Sequence, residues 1–225
     1  MNFKKVKVNN PPIKDKVYTY LRDKIIKGEI NSGDFIEEET ITNETGFSRT
    51  PVREAFVKLE AERFIDLIPR KGARVRQVTG TEIINIYETR RLIEKHAAKR
   101  ICEENIVVPV KMIDCHESMI ERYEAYKDDL NEIDFYQHIF MDVAFHGSMV
   151  AAVNNPVLMD MYEAIQNRKI RVAYTALSIE PERIHLIIKE HTEILDSLLK
   201  RDVSRVVDAL ENHLKPLDSI LSRLP

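Results

Sequence analysis

Ser48-Arg49-Thr50-Pro51-Val52-Arg53-Glu54-Ala55-Phe56 reads as the opening of a helix whose exposed face carries two arginines. Ser48 is suited to cap it, and Pro51 fits the first turn, where a missing N–H costs nothing. Arg49 and Arg53 fall one turn apart on the same face. Guanidinium forks at the start of a helix match phosphates and the O6/N7 edge of guanine in a major groove. Val52, Phe56, Val57 and Leu59 are expected to point the other way, into a core. In isolation, a solvated basic face on an ordinary helix would look the same, so the flanking sequence decides.

Upstream, residues 36–45 (Ile-Glu-Glu-Glu-Thr-Ile-Thr-Asn-Glu-Thr) read as a short helix, and Gly46 falls where a tight turn needs positive φ. Downstream, residues 64–76 alternate apolar and polar around Pro69-Arg70-Lys71-Gly72, which predicts a hairpin with a basic tip. Helix, glycine turn, basic helix and hairpin together make a winged helix-turn-helix.

This stretch resembles the N-terminal domain of GntR-family bacterial transcription regulators. The likeness runs from Val17 to Gly72 and is most specific at Ser48-Arg49-Thr50-Pro51-Val52-Arg53-Glu54-Ala55. It implies contact with a double-stranded DNA operator by Arg49, Thr50, Arg53, Arg70 and Lys71. Gly72 would let the wing tip approach the backbone closely. Two departures stand out: Thr42 and Thr45 replace small and aliphatic residues, and Glu37-Glu38-Glu39 is unusually acidic. Those acids suit a helix N-terminus but would repel phosphates if they faced DNA.

A chain of 225 residues accommodates two domains, with 44% hydrophobic content for their cores and 32% charged residues for a soluble surface. No apolar run approaches the ~20 residues that span a bilayer, and the basic start lacks a signal peptide's apolar stretch. Cys102 and Cys115 form no Cys-x-x-Cys pair and read as free thiols. The protein is therefore expected in the cytoplasm, with no membrane partner. Net charge is −3, but it is unevenly spread. Residues 1–78 hold 16 Lys and Arg against 12 Asp and Glu (+4), leaving 18 against 25 (−7) for the rest. A basic reading head on an acidic body fits that division.

We expect residues 1–78 to form the winged helix-turn-helix domain and 79–225 an all-α bundle of about six helices. Those helices are expected at 82–104, from near Pro109 to Lys127, at 131–149, from Asn154-Asn155-Pro156 to about Leu177, from Pro181 to near Lys200, and from Asp202 through Leu214 to Leu221. Thr79 or Thr81 can cap the first. Asp142 and His146 fall one turn apart on one helix, while His191 and His213 lie on two others. Inward side chains from facing helices can assemble a metal site, and three imidazoles with one carboxylate suit a divalent transition metal. Each histidine alone reads equally well as an ordinary core or surface residue. His138 competes with Asp142 for the same face, and His96, His116 and His185 read as surface or structural.

The fragments around Tyr87-Glu88-Thr89-Arg90-Arg91-Leu92-Ile93-Glu94, Asp142…His146, Asn154-Asn155-Pro156, Glu190-His191 and His213 resemble the helical FCD effector domain of the FadR-like GntR branch. That resemblance implies a metal held by Asp142, His146, His191 and His213, and a small organic acid effector such as a hydroxy, keto or sugar acid. Fatty acyl thioesters are bound by a group lacking this ligand set. Zinc or nickel stands ahead of manganese for a nitrogen-rich site. One Asp and neutral histidines leave a divalent ion with about +1 of charge for a carboxylate. Arg90 is the candidate effector contact. Arg168 and Arg171 read equally well as salt-bridge partners.

The expected function is a homodimeric, ligand-responsive transcription regulator and not an enzyme. The alternatives are a metal-dependent hydrolase, for which no general-base spacing or nucleophile motif is evident, and a constitutive DNA-binding protein, for which four metal ligands would have no purpose.

Overall fold

The computed structural model describes residues 12–130 and 133–225. They form two compact units divided between Gln77 and Val78.

In the first unit, Val17, Leu21 and Ile25 recur at four-residue spacing and bury one face of α1 (Ile13–Ile26). α1 packs on α3 (Arg49–Ala61), whose inner face is Val52, Ala55, Phe56 and Leu59. Truncating a side chain such as the fully buried Phe56 to alanine costs ~3–5 kcal/mol by the usual cavity argument. Val57 departs from expectation: it is 59% exposed, because it falls about 100° around the helix from Phe56. Between these helices lies α2 (Glu38–Thr45), which ends at Gly46 with φ +70°, as the turn demands. Ser48 occupies the N-cap of α3 without a side-chain hydrogen bond.

The hairpin is β2 (Ile65–Ile68) and β3 (Gly72–Val75), with Leu67 opposite Ala73 and Ile68 opposite Gly72. Sequence reading missed the third strand. Phe35 and Ile36 form β1, antiparallel to the other side of β3, so Ile36 belongs to the sheet and not to the helix expected from residue 36. The order is β1-β3-β2. Gly72 is required by this pairing: it has φ +130°, and a Cβ there would lie 2.2 Å from the Ile36 carbonyl oxygen.

The second unit is helical throughout. α4 (Gly80–Glu103) starts at Thr79, whose side chain accepts from Glu82 N–H. α5 (Val110–Tyr126) follows, then α6 (Phe135–Ala152), capped by Asp134. The start expected at 131 lies outside the described residues. The single helix expected from 154 to 177 is two, α7 (Pro156–Glu163) and α8 (Gln166–Ile179), and no Gly or Pro marks the break. α9 (Arg183–Leu199) agrees with expectation. The last expected helix is also divided, into α10 (Val203–His213) and α11 (Asp218–Leu221). Pro216 explains that division, since the preceding Lys215 is disfavoured in helical geometry. Eight helices therefore replace the expected six among the described residues of this unit. α4 packs on α6 and α10, and α10 on α9, which brings four helices around one buried point. No helix among the described residues is long and apolar enough to cross a membrane.

Candidate DNA-reading face and metal centre

Arg49 and Arg53 project from the start of α3 with side chains 66% and 64% exposed. Together with Arg70, Lys71 and Gly72 of the wing they line one groove, and Thr50 is exposed beside it. The acids of α2 stand in the same groove. Glu38 receives Arg53 Nε at 2.8 and 2.9 Å through both carboxylate oxygens, and Glu39 lies 4.0 Å from Arg49. Such exposed pairs contribute only ~0–1 kcal/mol, so a phosphate or guanine can displace them. The acids thus hold the arginines extended without locking them.

In the helical unit, α6 supplies Asp142 and His146, α9 supplies His191 and α10 supplies His213, all with donor atoms within 4.8 Å of one another. His146 Nε2 stands 3.1 Å from both His191 Nε2 and His213 Nε2. Asp142 Oδ1 is 3.2 Å from His191 Nε2 and 3.7 Å from His146 Nε2. Ligand atoms about 2.1 Å from a common ion at tetrahedral or octahedral angles would stand roughly 3.0–3.4 Å apart. The donor set fits a divalent metal.

Two glutamates that sequence reading assigned no role complete the centre. His213 Nδ1 is 2.8 Å from Glu190 Oε2, and His146 Nδ1 is 2.8 Å from Glu94 Oε2. A carboxylate at Nδ1 favours the proton there and leaves the Nε2 lone pair facing the cluster. Glu94 also accepts from Arg90 Nε and from the Tyr162 hydroxyl, each at 2.7 Å. Glu190 is held by Arg183 at 3.2 Å. Among the described residues His191 Nδ1 has no such partner; its ring stacks on Phe145 with centroids 4.5 Å apart.

Burial drives the imidazoles of His191 and His213 well below their ordinary range, which keeps them neutral. Burial opposes ionisation of Asp142, but the neighbouring His146 and His191 outweigh it and hold the carboxyl well below its usual value. Neutral His191 and His213 beside an ionised Asp142 match the protonation state that metal binding needs.

The remaining candidates fall elsewhere. Arg90 lines a cavity beside Asp142 and His213. Arg168 pairs with Glu82 at 2.9 Å, and Arg171 is buried. His116 is structural, 2.9 Å from the Thr192 hydroxyl, and His96 is exposed. His138 is buried on the cavity wall and is not part of the cluster.

The domain model for bacterial regulatory proteins of the gntR family matches residues 13–75, and the FCD domain model matches residues 85–216. The chain belongs to the GntR family, in its FCD-containing branch. The gluconate operon transcriptional repressor of Bacillus subtilis strain 168 is 30% identical to this GntR regulator over 177 residues, 79% of this chain and 69% of the repressor. The HTH-type transcriptional repressor RspR of Escherichia coli K12 is 25% identical over 218 residues, 95% of this chain and 90% of RspR. Among solved structures, a GntR transcriptional regulator of Rhodococcus sp. RHA1 superposes with a TM-score of 0.73 at 23% identity, covering 89% of this chain and 93% of that one. Escherichia coli McbR/YncC superposes with a TM-score of 0.72 at 20% identity, covering 95% and 99%. This GntR regulator is thus a DNA-binding transcription regulator and not an enzyme, and the hydrolase reading is set aside.

Proposed function

We propose that this regulator is a ligand-responsive homodimer whose operator affinity is set by a metal-bound organic acid in the helical domain. The convergence of Asp142 Oδ1 and three imidazole Nε2 atoms carries this reading. Three imidazole nitrogens and a carboxylate oxygen this close repel one another unless a cation or shared protons lie among them. Zinc or nickel would be held in preference to manganese. When bound, the ion would offer open coordination positions to a carboxylate.

Electrostatics ties the acid to the metal. Around the centre, Arg90, Arg183 and the cavity-lining Lys215 oppose Glu94, Asp142 and Glu190, three positive charges against three negative. An anion entering without the ion meets a balanced site, and with it a net +2. Lys169 adds to the positive side only in part, since burial pushes its ammonium down to about 7.

At the other end of the chain, Arg49 and Thr50 would read base edges, while Arg53, Arg70 and Lys71 would anchor phosphates, with Gly72 shaping the wing. Two copies are needed because one winged helix offers a small surface and two-fold dimers match pseudo-palindromic sites. Leu92, 71% exposed midway along the 24-residue α4, supports a partner-facing surface there. The test is to measure metal content and then operator affinity with and without metal and organic acids. One ion per chain and an acid effect confined to the metal-loaded protein are expected. A metal-free protein that responds fully would refute the proposal.

A further inference from the structure

β1 carries one residue that the core does not explain. Ile36 pairs with Ala73 and turns inward, 4% exposed, whereas Phe35 pairs with Arg74 on the opposite face of the sheet and is 42% exposed. β1 lies at an edge of the sheet. Edges are ordinarily blunted with charge or proline, and an aromatic ring there invites unwanted pairing unless something covers it. A threonine would form the strand as well.

The surroundings of Phe35 indicate what covers it. It lines the groove between α3 and the wing, where Arg49, Arg53, Arg70 and Lys71 supply four cations and residues 37–39 supply three carboxylates. Gly72 is the remaining lining residue, so among the described residues Phe35 is the one apolar side chain in a charged channel. DNA read by α3 would fill this channel with backbone and not with base edges. With α3 in a major groove, the wing beside it reaches the adjacent minor groove, and the strand dividing the two grooves runs between them. At each nucleotide that strand presents a phosphate and the hydrocarbon of a deoxyribose, including its C2′ methylene. Cationic rims and an apolar floor match that alternation.

We infer that the groove cradles one sugar–phosphate strand, in which Phe35 packs on a deoxyribose and selects against a 2′-hydroxyl at that nucleotide. A ribose would press a hydroxyl against the ring with no partner, and its lost hydration is the source of the discrimination. Phe35 thus selects the kind of nucleic acid and not its sequence. This rests on the reading of α3 and the wing as the DNA-contacting elements.

Fluorescence anisotropy on the full-length protein tests it, with a duplex selected from a random DNA library and versions of that duplex carrying one ribonucleotide at each position in turn. The parent should lose ~5-fold or more in affinity at a single position in each half-site. In Phe35→Thr, which keeps a strand former and offers a hydroxyl, that penalty should disappear, and in Phe35→Leu it should persist. An equal penalty at the same position in Phe35→Thr, or no penalised position in the parent, would overturn the assignment. A parallel series with deoxyuridine in place of each thymine detects the competing contact. A thymine-methyl preference that vanishes in Phe35→Thr would put the ring on a base and reject the sugar contact. If Arg49→Ala combined with Lys71→Ala leaves the selected duplex bound as tightly as before, the reading face itself is wrong, and this inference falls with it.

Discussion

Glu190 precedes the cluster residue His191 in sequence, yet it grips a different one: its Oε2 lies 2.8 Å from His213 Nδ1 on the neighbouring helix. The pair fixes the orientation of His213 and joins α9 to α10 at the centre. Glu190→Gln keeps the shape but removes the negative charge that favours the Nδ1 proton. A second-sphere loss of this kind lowers metal affinity ~10–100-fold. Chelator competition with zinc should read that drop, while thermal unfolding of the apo protein changes little. Unchanged affinity would make Glu190 a surface partner of Arg183 and nothing more.

Arg49→Ala should cost ~1–3 kcal/mol on a selected operator and little on a scrambled duplex, if its fork meets a guanine. Arg53→Ala should instead weaken both duplexes and reduce the salt dependence by about one phosphate contact. Fluorescence anisotropy across a salt series separates the two. If both variants fold and bind the operator as the parent does, α3 is not the reading helix.

Glu38 is the counterweight to Arg53. Glu38→Ala releases the guanidinium and removes a negative charge from the groove. Non-specific DNA affinity should therefore rise while the operator-to-scrambled ratio falls. A rise in both together would show that Glu38 only repels phosphates and does not orient the arginine.

The His138 imidazole, pushed down to about 4 chiefly by burial, makes stability depend on pH. The native ring stays neutral while the unfolded chain takes up a proton near 6.5. Stability from this group is present above 6.5 and is lost as pH falls towards 4, by roughly 3 kcal/mol in total. Metal-free protein should show this decline in denaturant titrations, and His138→Phe should flatten part of it. A decline of the same size in the variant would assign the acid sensitivity elsewhere.

Leu92→Glu places a charge on the more exposed of the two exposed large apolar residues of α4, Ile84 being the other. Light scattering at micromolar concentration should show a dimer for the parent and dissociation in the variant, with operator affinity falling in step. A parent that is monomeric at full operator affinity would contradict the dimer.

The reading unit was legible because its signals are local. Gly46 with positive φ and the Gly72 turn follow from residue type and immediate neighbours. β1 was not legible: Ile36 joins the sheet through long-range pairing with Ala73, and its Glu-rich surroundings read as helix. In the bundle, Asp202 caps α10 as its sequence suggests, Thr79 and not Thr81 caps α4, and Asn155 of the expected Asn154-Asn155-Pro156 start caps α7. The α7–α8 break has no breaker residue to announce it. Asp142 and His146 could be paired by helical spacing alone. Their union with His191 and His213 needs the packing of separate helices, so from sequence it came through resemblance. Glu94 and Glu190 carried no signal because a glutamate on a helix is ordinarily solvated. Only burial beside an imidazole reveals what they do.

The central claim is that metal and acid act on DNA binding through one site, and His191→Ala tests it most directly because that ring is fully buried at the centre of the cluster. Operator affinity should be titrated against a panel of small hydroxy, keto and sugar acids for parent and variant, each with its metal content measured. The account predicts one ion per parent chain, a change in operator affinity of ~5–150-fold on acid addition, and loss of both in a variant that still binds DNA. An acid response retained in a His191→Ala protein free of metal would contradict it.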